Sequence, residues 1–254
     1  MRLLVPEGRP LDPTALRRLY SYPDPVPVRG YVRANMVASV DGSVAGVDGR
    51  SGSISSPPDR KVFSVLRGLA DVVLVGAGTA RAEGYRALLP KPEFAELRAA
   101  LGQQPVPCMA VVTASGDVPS NLLRHRGRRD GSWRVLVLTS RSLDPQRVSA
   151  LTDALGADSV VVAGNERVDP AVALQALVDR GLPRVLCEGG PTLLAGVAAA
   201  GCLDELCQTT APVVAGGDAG RLLSNVVVPV ERSRLELAHL IEADGTLLAR
   251  WLVG

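Results

Sequence analysis

Five short apolar runs, separated by polar or helical stretches, constrain the fold of this chain more than any other feature. They are Asp71 to Val75, Cys108 to Thr113, Trp133 to Thr139, Ser159 to Ala163 and Arg184 to Cys187. Runs this short with little polar alternation suit strands buried on both faces. Helical spacing fills some of the intervals, notably Asp144 to Leu155 and Asp169 to Arg180. Strands alternating with helices predict βαβ units and a mainly parallel sheet flanked by helices. Upstream, YVRANMVASVDG alternates in strand fashion and breaks at Asp41-Gly42. Ser55-Ser56-Pro57-Pro58 then supplies an N-cap and first-turn prolines for a helix over Asp59 to Leu69. At the other end, Asp244-Gly245 between alternating apolar residues predicts an antiparallel hairpin. The expected fold class is therefore α/β, a mixed and mainly parallel sheet with a C-terminal antiparallel hairpin. Residues 1–28 carry a helical pattern over Pro13 to Tyr20 and a proline-rich crossing at 22–27, which no helix or ladder accepts. They read as an N-terminal arm, and 29–254, without linker or repeat, as one domain.

Composition narrows the function classes. Hydrophobic residues make up 46% of the 254 but aromatics only 3%, so Val, Leu and Ala must build the core. A formal charge of +2 gives no broad field to recruit nucleic acid or an anionic membrane. The one dense basic stretch, Arg124 to Arg129, reads as a solvated loop or as a phosphate contact. Four cysteines without a C-x-x-C pair and two histidines argue against a zinc site, and no metal is expected. Cys108 and Cys187 lie inside strand patterns as small buried hydrophobes, which fits a reducing compartment. No apolar segment reaches the ~20 residues that span a bilayer. The expectation is a cytoplasmic protein.

Four constellations could carry chemistry. Glu188-Gly189-Gly190-Pro191-Thr192 follows an apolar strand, delivering a carboxylate where ligands of open α/β sheets bind. Its glycines let backbone N–H groups approach a ligand, and Pro191 opens a helix whose start suits a pyrophosphate. The plainer reading is a glycine-rich turn with a solvated Glu188. Gly76-Ala77-Gly78-Thr79 ends another strand, but as a G-x-G-x-x-G fingerprint it fails, because Arg81 stands at the third glycine. Asn35, Ser39 and Asp41 alternate onto one strand face, a polar row that an apolar core would reject; an Asp-Gly turn that caps itself competes with that reading. Val214 to Gly220 is either a flexible turn or a backbone nest for phosphate. Thr113 and Ser115 end a further strand, where they could meet an adenosine phosphate or close a simple hydroxyl-capped turn.

In order along the chain, N-x-x-x-S-x-D-G (35–42), S-P-x-D-R (56–60), L-R-x-x-A-D (66–71), V-G-x-G-T (75–79), E-G-G-P-T-L (188–193) and V-x-G-G (214–217) resemble the reductase domain of bacterial riboflavin-biosynthesis deaminase–reductases and their free-standing relatives. The resemblance implies a dihydrofolate-reductase-like fold, a homodimer, and NADPH as hydride donor. It implies a phosphorylated ribosylamino-pyrimidine as substrate, its ribosylamino group reduced to ribitylamino. Asp41 and Glu188 then match the acids on the substrate side, with Asn35, Ser39, Ser51, Arg67 and Glu83 binding substrate. Gly76, Gly78, Thr79, Thr113, Ser115, Gly189, Gly190, Thr192, Leu193, Gly216 and Gly217 match the cofactor side. The reader of the cofactor's 2′-phosphate is left open between Ser115, Arg141 and the Arg124–Arg129 loop. Two positions depart from the family pattern: Glu83-Gly84-Tyr85 stands where Asp-Asp-Pro is usual, and Ser53 where many members have Trp. Two other readings stay open, a reductase of another substrate such as a pteridine or dihydrofolate, and a non-catalytic nucleotide-binding protein. All of this requires Asp41 and Glu188 to border one cleft with the glycine turns.

Overall fold

The computed structural model describes residues 1–125, 128–129, 132–217, 220–223 and 234–254. The chain opens with β1 (Arg2–Val5), β2 (Arg9–Pro10), α1 (Pro13–Leu19), β3 (Tyr31–Ser39) and α2 (Pro57–Leu69). Then come β4 (Val72–Gly76), α3 (Ala77–Ala82), α4 (Pro92–Ala100), β5 (Cys108–Val112), β6 (Arg128–Arg129), β7 (Ser132–Trp133) and β8 (Val135–Thr139). The remainder is α5 (Pro145–Leu155), β9 (Val160–Val162), α6 (Pro170–Val178), β10 (Arg184–Cys187), α7 (Pro191–Ala199), β11 (Glu205–Ala211), β12 (Leu235–Ala243) and β13 (Thr246–Val253). All five apolar runs are strands, and the sheet is mixed, mainly parallel, with antiparallel strands toward the chain's ends.

Two compact units emerge, one of residues 1–23, 32–67 and 187–254, the other of 24–31 and 68–186. The second holds strands in the order β10-β4-β5-β8-β9, with β4, β5, β8 and β9 parallel to one another. Its interior is aliphatic, as Val72 to Val75, Met109 to Val111 and Val135 to Leu138 are all buried. Cys108 is buried there too, and Cys187 at the end of β10 likewise; all four cysteines are free thiols. The helices start on a recurrent device. Asp12, Asp144 and Asp169 each precede a proline and accept from N–H groups of the first turn, a cap joined to a pre-set φ.

The first unit runs β2-β1-β12-β13-β11-β3, antiparallel except that β11 lies parallel to β3. The hairpin expected at Asp244-Gly245 is there, with φ of 52° and 77°, the left-handed pair that a tight two-residue turn requires. Its interior is not purely apolar. Glu205 is fully buried and bonded to Arg33 through both guanidinium prongs and to Arg250 Nη2 at 2.8 Å. The same two arginines bind the carbonyls of Tyr20 at 2.6 Å and Leu19 at 2.8 Å, which fastens the end of α1 to the sheet. His239 packs edge-on against Tyr20 with ring centroids 4.8 Å apart, and its Nε2 has no hydrogen-bond partner among the described residues. No helix among the described residues is long and apolar enough to cross a membrane.

This interior sets the acid stability. Burial, with the Arg250 charge beside it, lowers His239 from 6.5 to about 4. Burial alone would raise Glu205, but Arg33 and Arg250 together hold its carboxyl at about 2, below the ordinary 4.5. In both cases the folded value lies under the unfolded one, so the stability is complete at higher pH and lost on acidification. For His239 the loss runs from pH 6.5 down to 4, and for Glu205 from about 4.5 down to 2. Thermal unfolding followed against pH should show both stages. His239→Phe should flatten only the upper one, worth roughly 3 kcal/mol; an unchanged upper stage would contradict the assignment.

Candidate active site

In the first unit, β3 carries buried Asn35 at its middle and buried Ser39 at its end. Asp41 departs from that row. The strand stops at Ser39 because Gly42 N bonds back to Ser39 O at 3.0 Å, with Gly42 at φ 90°. Asp41 is thus in a turn, where its carboxylate accepts from Ser39 Oγ at 2.5 Å, Ala215 N at 3.1 Å and Gly216 N at 2.7 Å. The turn caps not itself but a loop 174 residues away in sequence. The Ser39 hydroxyl and the two amides hold the Asp41 carboxyl down to about 2, so it is an anion at neutral pH. Gly216 and Gly217 sit at φ 62° and 72°, and a Cβ at either would meet nothing within 4 Å. Asp218 and Ala219 of the same glycine-rich segment lie outside the described residues, as do Arg126-Gly127 and the side chains of Arg128 and Arg129 from the basic stretch.

Glu188 is buried at the end of β10, and Arg67 leaves the last turn of α2 to meet it. The contact is two-pronged, Nε to Oε1 at 2.7 Å and Nη2 to Oε2 at 2.6 Å. Sequence reading marked both residues but not their pairing. It also missed Phe63, whose ring centroid lies 4.1 Å from the Arg67 guanidinium carbon; the signal was there in the four-residue spacing on one helix face. Asp59 was missed as well. Its buried carboxylate accepts from Thr209 Oγ1 at 2.6 Å and Ser55 Oγ at 2.5 Å, which ties the start of α2 to β11. Ser51 begins a short 3-10 turn, Ser51–Ser53, and its carbonyl accepts from Ile54 N and Ser55 N. Ser53 turns its hydroxyl onto Asp48 Oδ1 at 2.8 Å.

Immediately after Glu188 the backbone turns into a helix through two glycines. Gly189 has φ 73°, and a Cβ there would meet Met36 Sδ at 3.1 Å, so any other residue would be strained. The Gly189-Gly190 peptide is cis. Gly190 caps α7 without any side-chain bond, Pro191 fills the first turn, and the first helical bond runs from Leu194 N to Gly190 O. The Thr192 and Leu193 amides therefore precede the helical ladder, an arrangement that fits phosphate oxygens.

The second unit holds the remaining predicted residues. The Gly76–Thr79 turn is a strand-to-helix junction instead: β4 runs through Gly76, whose φ is −72°, and α3 begins at Ala77. The glycines open a helix, because neither needs the left-handed region and Ala77 and Ala80 pack inward. Exposed Gly78 still leaves the backbone bare, as a Cβ there would touch nothing within 4 Å. Thr79 O accepts from Glu83 N, at the cap of α3. Thr113 Oγ1 and Ser115 Oγ accept from Gly116 N and Asp117 N at 3.0 and 3.3 Å, which is the hydroxyl-capped turn. A cavity of about 550 Å³ is lined by Arg86, Ala87, Leu89, Asn121, Arg124 and His125; of the residues singled out in the sequence, Arg124 from the basic stretch lines it.

The model of the RibD C-terminal domain matches residues 30–248, the stretch that holds every one of these features. The chain belongs to that family. RibD-type relatives place it among the pyrimidine reductases of riboflavin biosynthesis. The 2,5-diamino-6-ribosylamino-4(3H)-pyrimidinone 5′-phosphate reductase of Archaeoglobus fulgidus is 31% identical over 88% of this chain and 99% of its own length. The enzyme of the same name from Methanothermobacter thermautotrophicus is 32% identical over 89% and 99%. Among solved structures, a pyrimidine reductase-like protein from Corynebacterium diphtheriae aligns with a TM-score of 0.78 and 26% identity, covering 89% of this chain and 92% of that one. This RibD-type chain is an oxidoreductase.

Asp41→Asn tests the cap on the glycine loop. It removes the charge and swaps one acceptor oxygen for a donor, so one of the two loop amides loses its acceptor and the other keeps only a neutral one. Hydrogen exchange at Ala215 and Gly216 should speed up by about tenfold or more, while amides of the β12–β13 hairpin stay unchanged. Equal protection in the variant would mean that Asp41 does not hold the loop.

Proposed function

We propose that the protein reduces 2,5-diamino-6-ribosylamino-4(3H)-pyrimidinone 5′-phosphate with NADPH, converting the ribosylamino group to ribitylamino. The observation that carries this reading is the continuity of Glu188 with the uncapped start of α7, which puts an arginine-held carboxylate next to an anion-binding backbone. The amino form of the pyrimidine is preferred over the deaminated one because the two relatives matched over 99% of their length are named for it.

Opening of the ribose ring gives an imine, and NADPH when bound supplies the hydride that its C1′ accepts. The residues of this chain have the task of aligning that carbon and favouring its positive charge. Asp41 is suited to charge stabilisation and not to proton delivery, since its carboxyl stays ionised far below neutral pH. Glu188, oriented by Arg67, presents a fixed carboxylate at the end of β10. Asn35 and Ser39 lie on β3, and the family resemblance assigns them, with Ser51 and Glu83, to the substrate. Gly189, Gly190, Thr192 and Leu193 would hold phosphate oxygens of the cofactor through backbone amides, with Gly216 and Gly217 offering further bare backbone. Gly76, Gly78, Thr79, Thr113 and Ser115 are assigned to the cofactor by the family resemblance alone. The reading includes a cytoplasmic homodimer, for which four unpaired thiols and the family resemblance speak.

Steady-state NADPH oxidation with the diamino substrate, its deaminated counterpart and dihydrofolate tests the assignment. The diamino compound should give the highest kcat/KM, by at least about tenfold. Asp41→Asn should lower turnover by about a hundredfold while NADPH affinity stays within a few-fold. Preference for dihydrofolate, or NADPH binding with no oxidation by any of the three, would refute the proposal.

A further inference from the structure

The Arg67–Glu188 contact poses a geometric question. A two-pronged bond requires the guanidinium plane to contain both carboxylate oxygens, yet Arg67 is a long side chain, 23% exposed, at the last turn of a helix. In-plane hydrogen bonds fix where the fork points but do little against rocking out of the plane. A flat aromatic face on one side opposes that rocking directly. Phe63 supplies one, with its ring centroid 4.1 Å from the guanidinium carbon and four residues back on the same helix face.

Phe63 is also out of character for this chain. Only two phenylalanines occur in 254 residues, and the interior is built from Val, Leu and Ala. Phe63 itself is half-buried, so it does not fill the core as Val62, Val65 and Leu66 do around it. The helix that presents it cannot easily slide, because Asp59 is bonded to Thr209 and Ser55, and Ser56 Oγ lies 2.9 Å from Thr246 Oγ1. Phe63 and Arg67 therefore hold a fixed register relative to Glu188.

We propose that Phe63 is a positioning residue for the reaction: its ring keeps the Arg67 guanidinium coplanar with the Glu188 carboxylate, and so fixes the direction in which that carboxylate faces the substrate. The inference rests on the reductase reading above, and its own test includes a measurement that needs no turnover. Phe63→Leu keeps an apolar side chain but removes the face; Phe63→Tyr restores the face. In nitrogen-15 spectra the Arg67 Nε–H should exchange with water about tenfold faster in Phe63→Leu than in wild type, and return to within about twofold in Phe63→Tyr. In parallel, kcat should fall about tenfold in Phe63→Leu and recover in Phe63→Tyr, with NADPH affinity within twofold.

A purely structural role is separated by repeating the change with Arg67→Lys, whose ammonium has no plane to hold. Phe63→Leu should then have less than about a twofold further effect on kcat. Should the leucine variant not fold, Phe63→Met takes its place in every comparison. Unchanged Nε–H exchange in the faceless variants would overturn the proposal, as would equal impairment of the tyrosine variant or a full tenfold loss in the Arg67→Lys background. Absence of turnover in the wild type with every substrate would instead count against the reductase reading and leave the exchange experiment standing.

Discussion

A carboxylate that water cannot reach has to be answered by cations, and Glu205 in the first unit is answered by two. Removing one partner of such a buried group typically costs about 3–5 kcal/mol, because the charge left behind stays desolvated. The constraint reaches outward from there. Arg33 belongs to β3, Glu205 to β11 and Arg250 to β13, so three neighbouring strands are registered by one ionic cluster. Two of those strands, β3 and β11, run toward the candidate site. The strand β3 delivers Asn35 and Ser39, and β11 runs into the segment whose amides Asp41 holds. The polar interior of this unit and the polar end of its sheet are consecutive parts of the same strands.

Much of the fold was readable from pattern because the physics behind it is local. Strands buried on both faces must be continuously apolar, and Arg184 to Cys187 was placed to the residue. Asp-Pro pairs announce helix starts through a cap and a fixed φ, and Asp244-Gly245 announces its hairpin through left-handed backbone. What stayed hidden depends on partners distant in sequence. Nothing near Asp41 says that its acceptors will be filled by Ala215 and Gly216, and nothing near Arg33 says that Glu205 will lie beside it. Gly76 and Gly78 misled for a different reason: glycine signals a turn by frequency, but here the chain passes straight from strand to helix and uses the missing side chains only to leave the backbone open.

The candidate site was legible as a set of residues and illegible as a set of contacts. Asp41 and Glu188 read alike in sequence, each an acid before glycine at the end of a strand. The structure gives them different surroundings. Asp41 is exposed and bound by a hydroxyl and two amides, neutral donors that favour its anion without cancelling its charge. Glu188 is buried and faces a guanidinium, which compensates the charge at short range. A cationic imine would therefore feel the two acids unequally, and the uncompensated one attracts it more strongly at equal distance.

That inequality assigns work to the helix α2. If Glu188 contributes direction more than net charge, then the value of its pairing lies in geometry, and geometry is inherited from whatever holds Arg67. The helix is anchored at its start by hydroxyls on Asp59 and Ser56 and engaged at its end through Arg67, so the spacing between β11 and the end of β10 is transmitted along 13 residues of regular hydrogen bonding. Rigid elements hold functional groups more accurately than loops do. On this view the buried hydroxyl–carboxylate contacts at Thr209, far from any reacting atom, matter to the site for the same reason as the ionic cluster at Glu205: each fixes a strand or helix whose far end carries the chemistry.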